Sequence, residues 1–151
     1  MNRELLMLVD AIAREKSVER EVVFGAVEAA LASAKMTAVD IGHVNAHGES
    51  SLEHDRLEAQ AIRATLGDTP VTAPKSYFGD LGAGSGAVEM AASVLAIVHG
   101  RVPPTLNYDT PDPACPINVV HGGPLTGGKP AAVVLNQSST GQAAAVVLTQ
   151  P

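Results

Sequence analysis

The residues able to do chemistry are few and widely spaced. His47 closes an extended stretch in the run Asn45-Ala46-His47-Gly48. A neutral imidazole there can donate a hydrogen bond without bringing a charge, or stand as an ordinary histidine at a strand end. Lys75 and Asp80 lie five residues apart in one loop, which suits a structural ion pair. Glu89 is the only charged residue from Ala83 to Val98. A buried carboxylate without a partner is costly, so Glu89 needs a donor or must reach solvent from a helix end. Cys115, the single cysteine, sits between Pro113 and Pro116 in a loop without a helix N-terminus to lower its pKa, and reads as an inert or structural thiol. His43, His54, His99 and His121 have no metal-ligand spacing and read as surface or loop residues. The glycine run from Gly82 to Gly86 looks like a phosphate-cradling turn but lacks the lysine of that motif; close helix packing is the better reading.

These groups must be held by elements that the hydrophobic pattern outlines. Asn2 reads as an N-cap, and Leu5, Leu6, Leu8, Val9 and Ile12 form a helical stripe. Ser17 reads as a second N-cap, with Glu19 and Glu21 in the first turn and Val23, Val27, Ala30, Leu31 and Ala34 along one side. After Lys35 the pattern changes. Val39, Ile41 and Val44 begin a strand that runs into His47; a helix over 53–66 follows, then a short buried strand at 70–73 and a loop to Asp80. The segment 84–99 is predicted to be a helix buried on all sides, because small and apolar side chains surround it. Pro103-Pro104 stops it. Strands are predicted at 117–120, 131–136 and 143–148, the last two joined by a hairpin loop over 137–141. The alternation of strand and helix argues for an α/β layered fold with a mixed sheet.

Composition narrows the classes. The 151 residues suffice for one domain with its own core. Ten basic against sixteen acidic residues give a net charge of −6, which disfavours a nonspecific grip on nucleic acid. Charged residues make up 17%, so long stretches should be buried. One cysteine excludes a disulfide framework and a multi-cysteine metal cluster within the chain. No apolar run of about 18 residues and no signal peptide stand out, so a soluble cytoplasmic protein without a membrane partner is expected.

From about Met36 onward the chain resembles the C-terminal half of β-ketoacyl-[acyl-carrier-protein] synthases, the condensing enzymes of fatty-acid and polyketide synthesis. Val44-Asn45-Ala46-His47-Gly48 resembles the first histidine motif, and Asp55 with Glu58-Ala59-Gln60-Ala61 the helix after it. Pro74-Lys75-Ser76, Gly79 and Leu81 to Glu89 resemble the lysine and second-histidine segment. Val102-Pro103-Pro104-Thr105-Leu106-Asn107, Asp112 and Cys115 fit the next stretch, and Asn136 stands where the family's final glycine-rich loop begins. The resemblance implies half of a thiolase-like αβα architecture, with the uncharged helix in its middle layer. Alone, the chain would leave that helix partly uncovered as an apolar patch.

The same resemblance implies roles. His47 would donate to a thioester oxygen, Lys75 would support it, and Asn45, Glu89 and Asn136 would bind a monovalent cation or position Lys75. No other cofactor is implied; phosphopantetheine belongs to the carrier-protein substrate. The second histidine position is Asp80, whose carboxylate repels an oxyanion unless its pKa is raised. Glu49 and Ser51 replace threonines that contact the pantetheine arm, and 137–141 lacks the family's phenylalanine gate. The family's nucleophilic cysteine lies in the other half, so this chain alone is expected not to condense anything. Implied partners are an acyl carrier protein and a complementary synthase half or subunit, in a homo- or hetero-oligomer. Residues 1–35 instead resemble the opening of the transcription factor NusA, through Met1-Asn2-Arg3-Glu4-Leu5-Leu6, Ala13-Arg14-Glu15-Lys16 and Glu21-Val22-Val23-Phe24. That implies two units, 1–35 and 36–151, as a natural fusion, a chimera or an assembly error, with RNA polymerase as the alternative partner.

Overall fold

The structure, a computed structural model, describes residues 20–138 and 140–150. The stripe from Leu5 to Ile12 and the Ser17 cap lie outside them. Helix α1 spans Arg20–Ala34, β1 His43–Asn45, α2 His54–Leu66, β2 Pro70–Thr72, α3 Lys75–Phe78, α4 Ser85–His99, β3 Arg101–Val102, β4 Asn118–Val119, β5 Leu125–Thr126, β6 Ala131–Ser138 and β7 Gln142–Thr149. The main sheet has the order β4-β2-β1-β6-β7. Its first four strands are parallel and β7 returns antiparallel to β6, so the sheet is mixed as expected. Strands β3 and β5 make a separate antiparallel pair.

Period-two alternation divides the strands between two faces. Val44, Val71, Val133 and Leu135 turn into one core with Val23, Val27 and Leu31 of α1 and Ala61, Ile62 and Leu66 of α2. His43 and Asn45, flanking Val44, bond to α4 on the opposite face. The architecture is therefore α1 and α2, then the sheet, then α4. Val23, Val27 and Leu31 recur every fourth residue and are buried, so α1 presents one apolar stripe. Each such side chain contributes about 1.5–3 kcal/mol on burial. Residues 20–34 thus share one core with the chain beyond residue 36.

Besides the short pair β3 and β5, which the hydrophobic pattern does not outline, three elements differ from the sequence reading. The approach to β1 is a tight turn over Ala38–Asp40, because Asp40 accepts from both the backbone N–H and the hydroxyl of Thr37 at 2.8 Å and shortens the strand. The segment read as a loop after Pro74 contains the one-turn helix α3. The third is α4, which is not buried on all sides. Ser85, Glu89, Ser93 and Ala96 face inward, while Val88, Val94, Leu95 and Val98 face out, Leu95 with 56% and Val98 with 62% of its surface exposed. The helix is inside out because the sheet face beneath it offers His43 and Asn45, which require polar partners. With the preceding turn it makes a helical segment of 18 residues, Gly82–His99, of mean hydropathy 1.2, long and apolar enough to cross a membrane by length and composition. Its inward stripe of Glu89 and two serines joins it to the sheet, as a core helix is joined. Gly100 ends α4 at φ 61°, its N–H returning to the carbonyls of Ala96 and Ile97.

Two outcomes follow from this packing. Val27→Asp places an unpaired charge in the shared core and should abolish the cooperative thermal transition in circular dichroism; an unchanged melt would show that α1 is an appendage. Leu95→Lys with Val98→Lys should shift stability in urea unfolding by no more than about 0.5 kcal/mol per site, since neither side chain is buried; a larger loss would show that the outer side of α4 is packed.

Candidate active site

The site begins where β1 leaves the sheet. The Ala46 N–H still donates to the Thr72 carbonyl, extending the ladder by one residue. Gly48 then takes φ 47°, and a Cβ there would stand 3.0 Å from that of Ala73. The backbone freed by this turn is caught by Glu58, whose two carboxylate oxygens accept the N–H groups of His47 at 2.8 Å and Gly48 at 3.0 Å. Burial pushes the Glu58 carboxyl up to about 7, against the lowering pull of these two N–H groups. Glu58 therefore fixes the backbone that carries His47. In the sequence it reads only as part of a helix; its signal is a carboxylate on the apolar face of α2, one turn before Ile62.

Lys75 reaches in from α3. Its Nζ lies 3.0 Å from His47 Nδ1, donates to the His47 carbonyl at 2.8 Å, and forms an ion pair with Glu89 of α4. The second Glu89 oxygen accepts from Asn136 Nδ2 at 2.9 Å. Asn45 Nδ2 donates to the Glu89 carbonyl at 2.8 Å and lies 2.9 Å from Ser93 Oγ. Five residues singled out from the sequence, Asn45, His47, Lys75, Glu89 and Asn136, thus meet in one buried network. The network includes Ser93 and His43, whose Nε2 is 3.3 Å from Ser93 Oγ. His43 is a correction to the surface reading: it is fully buried, and desolvation lowers its pKa to about 4, so it is neutral.

His47 is also neutral, because burial and then the Lys75 ammonium depress its pKa more than Glu89 and Glu49 raise it. Its Nδ1 accepts from the Gln137 N–H at 3.3 Å and faces Lys75 Nζ. Two donors at Nδ1 assign the ring proton to Nε2. The result is an uncharged imidazole with one N–H to offer, a donor suited to a developing oxyanion.

Asp80 does not belong to this network. It is exposed, and its Oδ1 accepts from Ser85 Oγ at 2.8 Å and the Gly82 N–H at 2.9 Å. The Ser85 and Gly82 bonds hold its carboxyl below the usual range. The expected Lys75–Asp80 ion pair is absent; Lys75 turns to Glu89, which is buried and has no other cation. Gly86 packs against Asn136, its ideal Cβ 3.5 Å from Asn136 Nδ2, as close helix packing requires. Glu49 places Oε2 3.6 Å from His47 Nε2 and pairs through Oε1 with His54. Ser51 Oγ accepts the His54 N–H at 3.3 Å at the start of α2. A cleft of about 370 Å³ opens beside the network, lined by Glu49, Lys75, Asp80, Thr105, Leu106 and Tyr108 among others. The Cys115 thiol lies away from the network and is pushed up by burial and by Asp112, in keeping with an inert thiol.

Of the side-chain oxygens that could hold a monovalent cation, those of Glu89 are committed to neighbours. Asn45 Oδ1 is the one buried side-chain polar atom without a partner among the described residues. Both Glu89 oxygens are engaged, and Asn136 presents its NH2 group rather than its oxygen. Among the described residues no group of three or more His, Cys, Asp or Glu side chains could hold a metal ion.

Residues 12–109 match the family described as beta-ketoacyl synthase, C-terminal domain. The match enters the segment expected to resemble NusA. The tetracenomycin polyketide synthase ketoacyl synthase alpha subunit of Streptomyces glaucescens is 42% identical over 99 residues, covering 63% of this chain and 23% of the relative. The chain therefore spans about a quarter of the length of such relatives. Among solved structures, the ishigamide ketosynthase/chain length factor superposes with a TM-score of 0.87 at 27% identity, over 91% of this chain and 34% of the other. A type II polyketide synthase acyl-carrier protein in complex with its ketosynthase bound to the hexaketide gives 0.82 at 26%, over 91% and 35%. The fold is the thiolase-like ketosynthase α/β fold with a mixed sheet.

Two measurements probe the buried groups. Glu89→Leu strands the Lys75 ammonium and should cost about 3–5 kcal/mol in urea unfolding, of which the double variant Lys75→Met/Glu89→Leu should recover part. A double-variant loss equal to the sum of the single losses would show that the two charges are not coupled. Glu58 releases its proton at about 7 when folded against an ordinary 4.5, so between these values the folded chain holds more protons. Its contribution is full below pH 4.5 and is lost as pH rises through 7. The Glu58-dependent part of stability should therefore fall from pH 5 to pH 7.5, by on the order of 3 kcal/mol, and vanish in Glu58→Gln.

Proposed function

Because the chain belongs to the β-ketoacyl synthase C-terminal domain family, we propose that it is the imidazole- and lysine-bearing part of a condensing enzyme of polyketide or fatty-acid synthesis. The observation that carries this reading is the neutral His47, its Nδ1 committed to Lys75 and Gln137 and its proton left on Nε2. Such a group polarises a thioester carbonyl without adding charge. Lys75 holds the ring in that tautomer, Glu89 keeps Lys75 in place, and Glu58 fixes the backbone of the donor. The substrate class is an acyl thioester on the pantetheine arm of an acyl carrier protein, which enters beside Glu49.

The nucleophile comes from a complementary, cysteine-bearing half, and the exposed apolar side of α4 is the surface that half covers. A non-catalytic role, as partner subunit in a ketosynthase pair, is the second reading, favoured by Asp80: its carboxylate stays charged and accepts hydrogen bonds where the family places an imidazole donor. The reading of residues 1–35 as a contact to RNA polymerase has no supporting observation, since the apolar stripe of α1 is spent in the core.

The test is a mass-spectrometric assay with malonyl- and acyl-carrier protein. The full chain should bind the carrier-linked thioester but form no 3-oxoacyl product. Robust product formation would overturn the assignment of the nucleophile to another half.

A further inference from the structure

The two edges of the main sheet differ. Strand β4 at one edge has two residues, Asn118 and Val119. Strand β7 at the other has eight, Gln142–Thr149, with no charged residue, proline or glycine among them. Its register with β6 runs unbroken from Ala131 opposite Thr149 to Ser138 opposite Gln142, so no bulge bends it away. Proteins that keep a sheet edge solitary blunt it with such devices. The direction of the β7 backbone groups is fixed as well. The Gln150 N–H donates to the Pro130 carbonyl at 3.2 Å, and the Ala131 carbonyl turns the other way, accepting from the Gly42 N–H at 2.8 Å. Bonded pairs alternate in an antiparallel ladder, so Gln142, Ala144, Val146 and Leu148 bond to β6. Ala143, Ala145, Val147 and Thr149 therefore aim their N–H and C=O groups outward, where no partner meets them among the described residues. A groove of about 580 Å³ runs along this edge, lined by residues 143–147 and by Ala26, Ala30, Ser33 and Ala34 of α1 among others; none of its lining side chains is charged.

We propose that β7 is a docking edge for a second copy of this chain, joining two sheets through an antiparallel β7–β7 pair. A segment that fills an uncharged groove beside open backbone groups must be extended and uncharged, and β7 itself meets both conditions. Residues 1–19 do not: Arg3, Glu4, Asp10 and the run Arg14-Glu15-Lys16 would lose water there without partners. The match is self-complementary only where outward residues face outward residues. A two-fold axis at Val146 satisfies this, with Ala143 opposite the partner's Thr149 and Ala145 opposite the partner's Val147, and it uses the outward groups of all four residues. The small side chains of α1 leave room for the added strand, which lies about 4.8 Å from β7. An eight-residue strand is about 27 Å long, and strand and helix layer together are about 15 Å deep, so each copy buries roughly 400 Å², half of a standard interface. The contact is thus of the weak, reversible class. The outer side of α4 lies on the other face of the sheet and stays free for a complementary half, so this pairing does not depend on the condensing-enzyme reading.

Disulfide trapping of the full chain tests it, at concentrations on the order of 100 μM, where a weak interface is populated. In a Cys115→Ser background, Val146→Cys should cross-link readily, because a non-hydrogen-bonded pair brings its Cα atoms to about 4.5 Å, within disulfide span. Ala144→Cys should cross-link about tenfold less or lower, since it faces the partner's Leu148 and stands about 13 Å from the same position in the other copy. Equal trapping at the two positions, or none at either, overturns the proposal. In sedimentation velocity the wild type should show a concentration-dependent dimer, and Val146→Lys, which sets two ammonium groups opposite each other, should remove it. A wild type that stays monomeric, or a dimer that survives Val146→Lys, overturns the proposal. Leu95→Lys with Val98→Lys should leave the dimer unchanged; its loss there would assign association to α4 and overturn the β7 contact. The cysteine pair decides the question even where Val146→Lys destabilises the fold.

Discussion

One ammonium and one carboxylate kept out of water organise this molecule. Lys75 and Glu89 have 5% and 0% of their side-chain surface exposed. Removing two charges from water costs several kcal/mol per ion, offset only where the remaining hydrogen-bonding capacity is filled. Filling it draws in the end of β1 through the His47 carbonyl and ring, β6 through Asn136, and the β1 interior through Asn45 on the Glu89 carbonyl. The positions of α3 and α4 relative to the sheet are therefore set by hydrogen bonds as much as by apolar contact. The purely apolar packing is on the other face, where α1 and α2 cover Val44, Val133 and Leu135.

That division explains the inverted character of α4. A helix serving a polar network must turn its polar stripe inward, and its remaining surface is then apolar by composition. The low share of charged residues, 17%, reflects this side of the helix in part. Within the described residues nothing covers it, and the chain spans only 34% of the ketosynthase/chain length factor it superposes on.

Much of the fold and half of the network were legible in the sequence. The strands and helices from Val44 onward follow from period-two and helical patterns, and the lone carboxylate in an uncharged helix marked Glu89 as needing a partner. Of the two carboxylates the sequence offers Lys75, proximity along the chain favours Asp80 and burial favours Glu89; a solvated carboxylate gives Lys75 little, a desolvated one a great deal. His43 was missed for a related reason. It lacks metal-ligand spacing, and a histidine that serves as a neutral hydrogen-bonding group in the core has no spacing signature of its own. Glu58 was visible as a carboxylate on an apolar helix face, but its targets are backbone N–H groups, which no residue pattern announces. The burial of α4 was overestimated, since uniform apolarity records what a helix can pack against, not what lies beside it.

The hairpin of β6 and β7 has a consequence beyond the sheet. Eight paired positions, from Ala131 opposite Thr149 to Ser138 opposite Gln142, fix its register. That register puts Asn136 on the α4 side, where it meets Glu89, and brings the next backbone N–H, that of Gln137, to His47. A slip of one residue would carry Asn136 to the opposite face, because side chains alternate strictly along a strand. It would also withdraw the amide that claims Nδ1. The tautomer of an imidazole is thus written into the alignment of two strands, and the hairpin works as a vernier: its teeth are backbone amides, and its reading is the atom on which a proton sits.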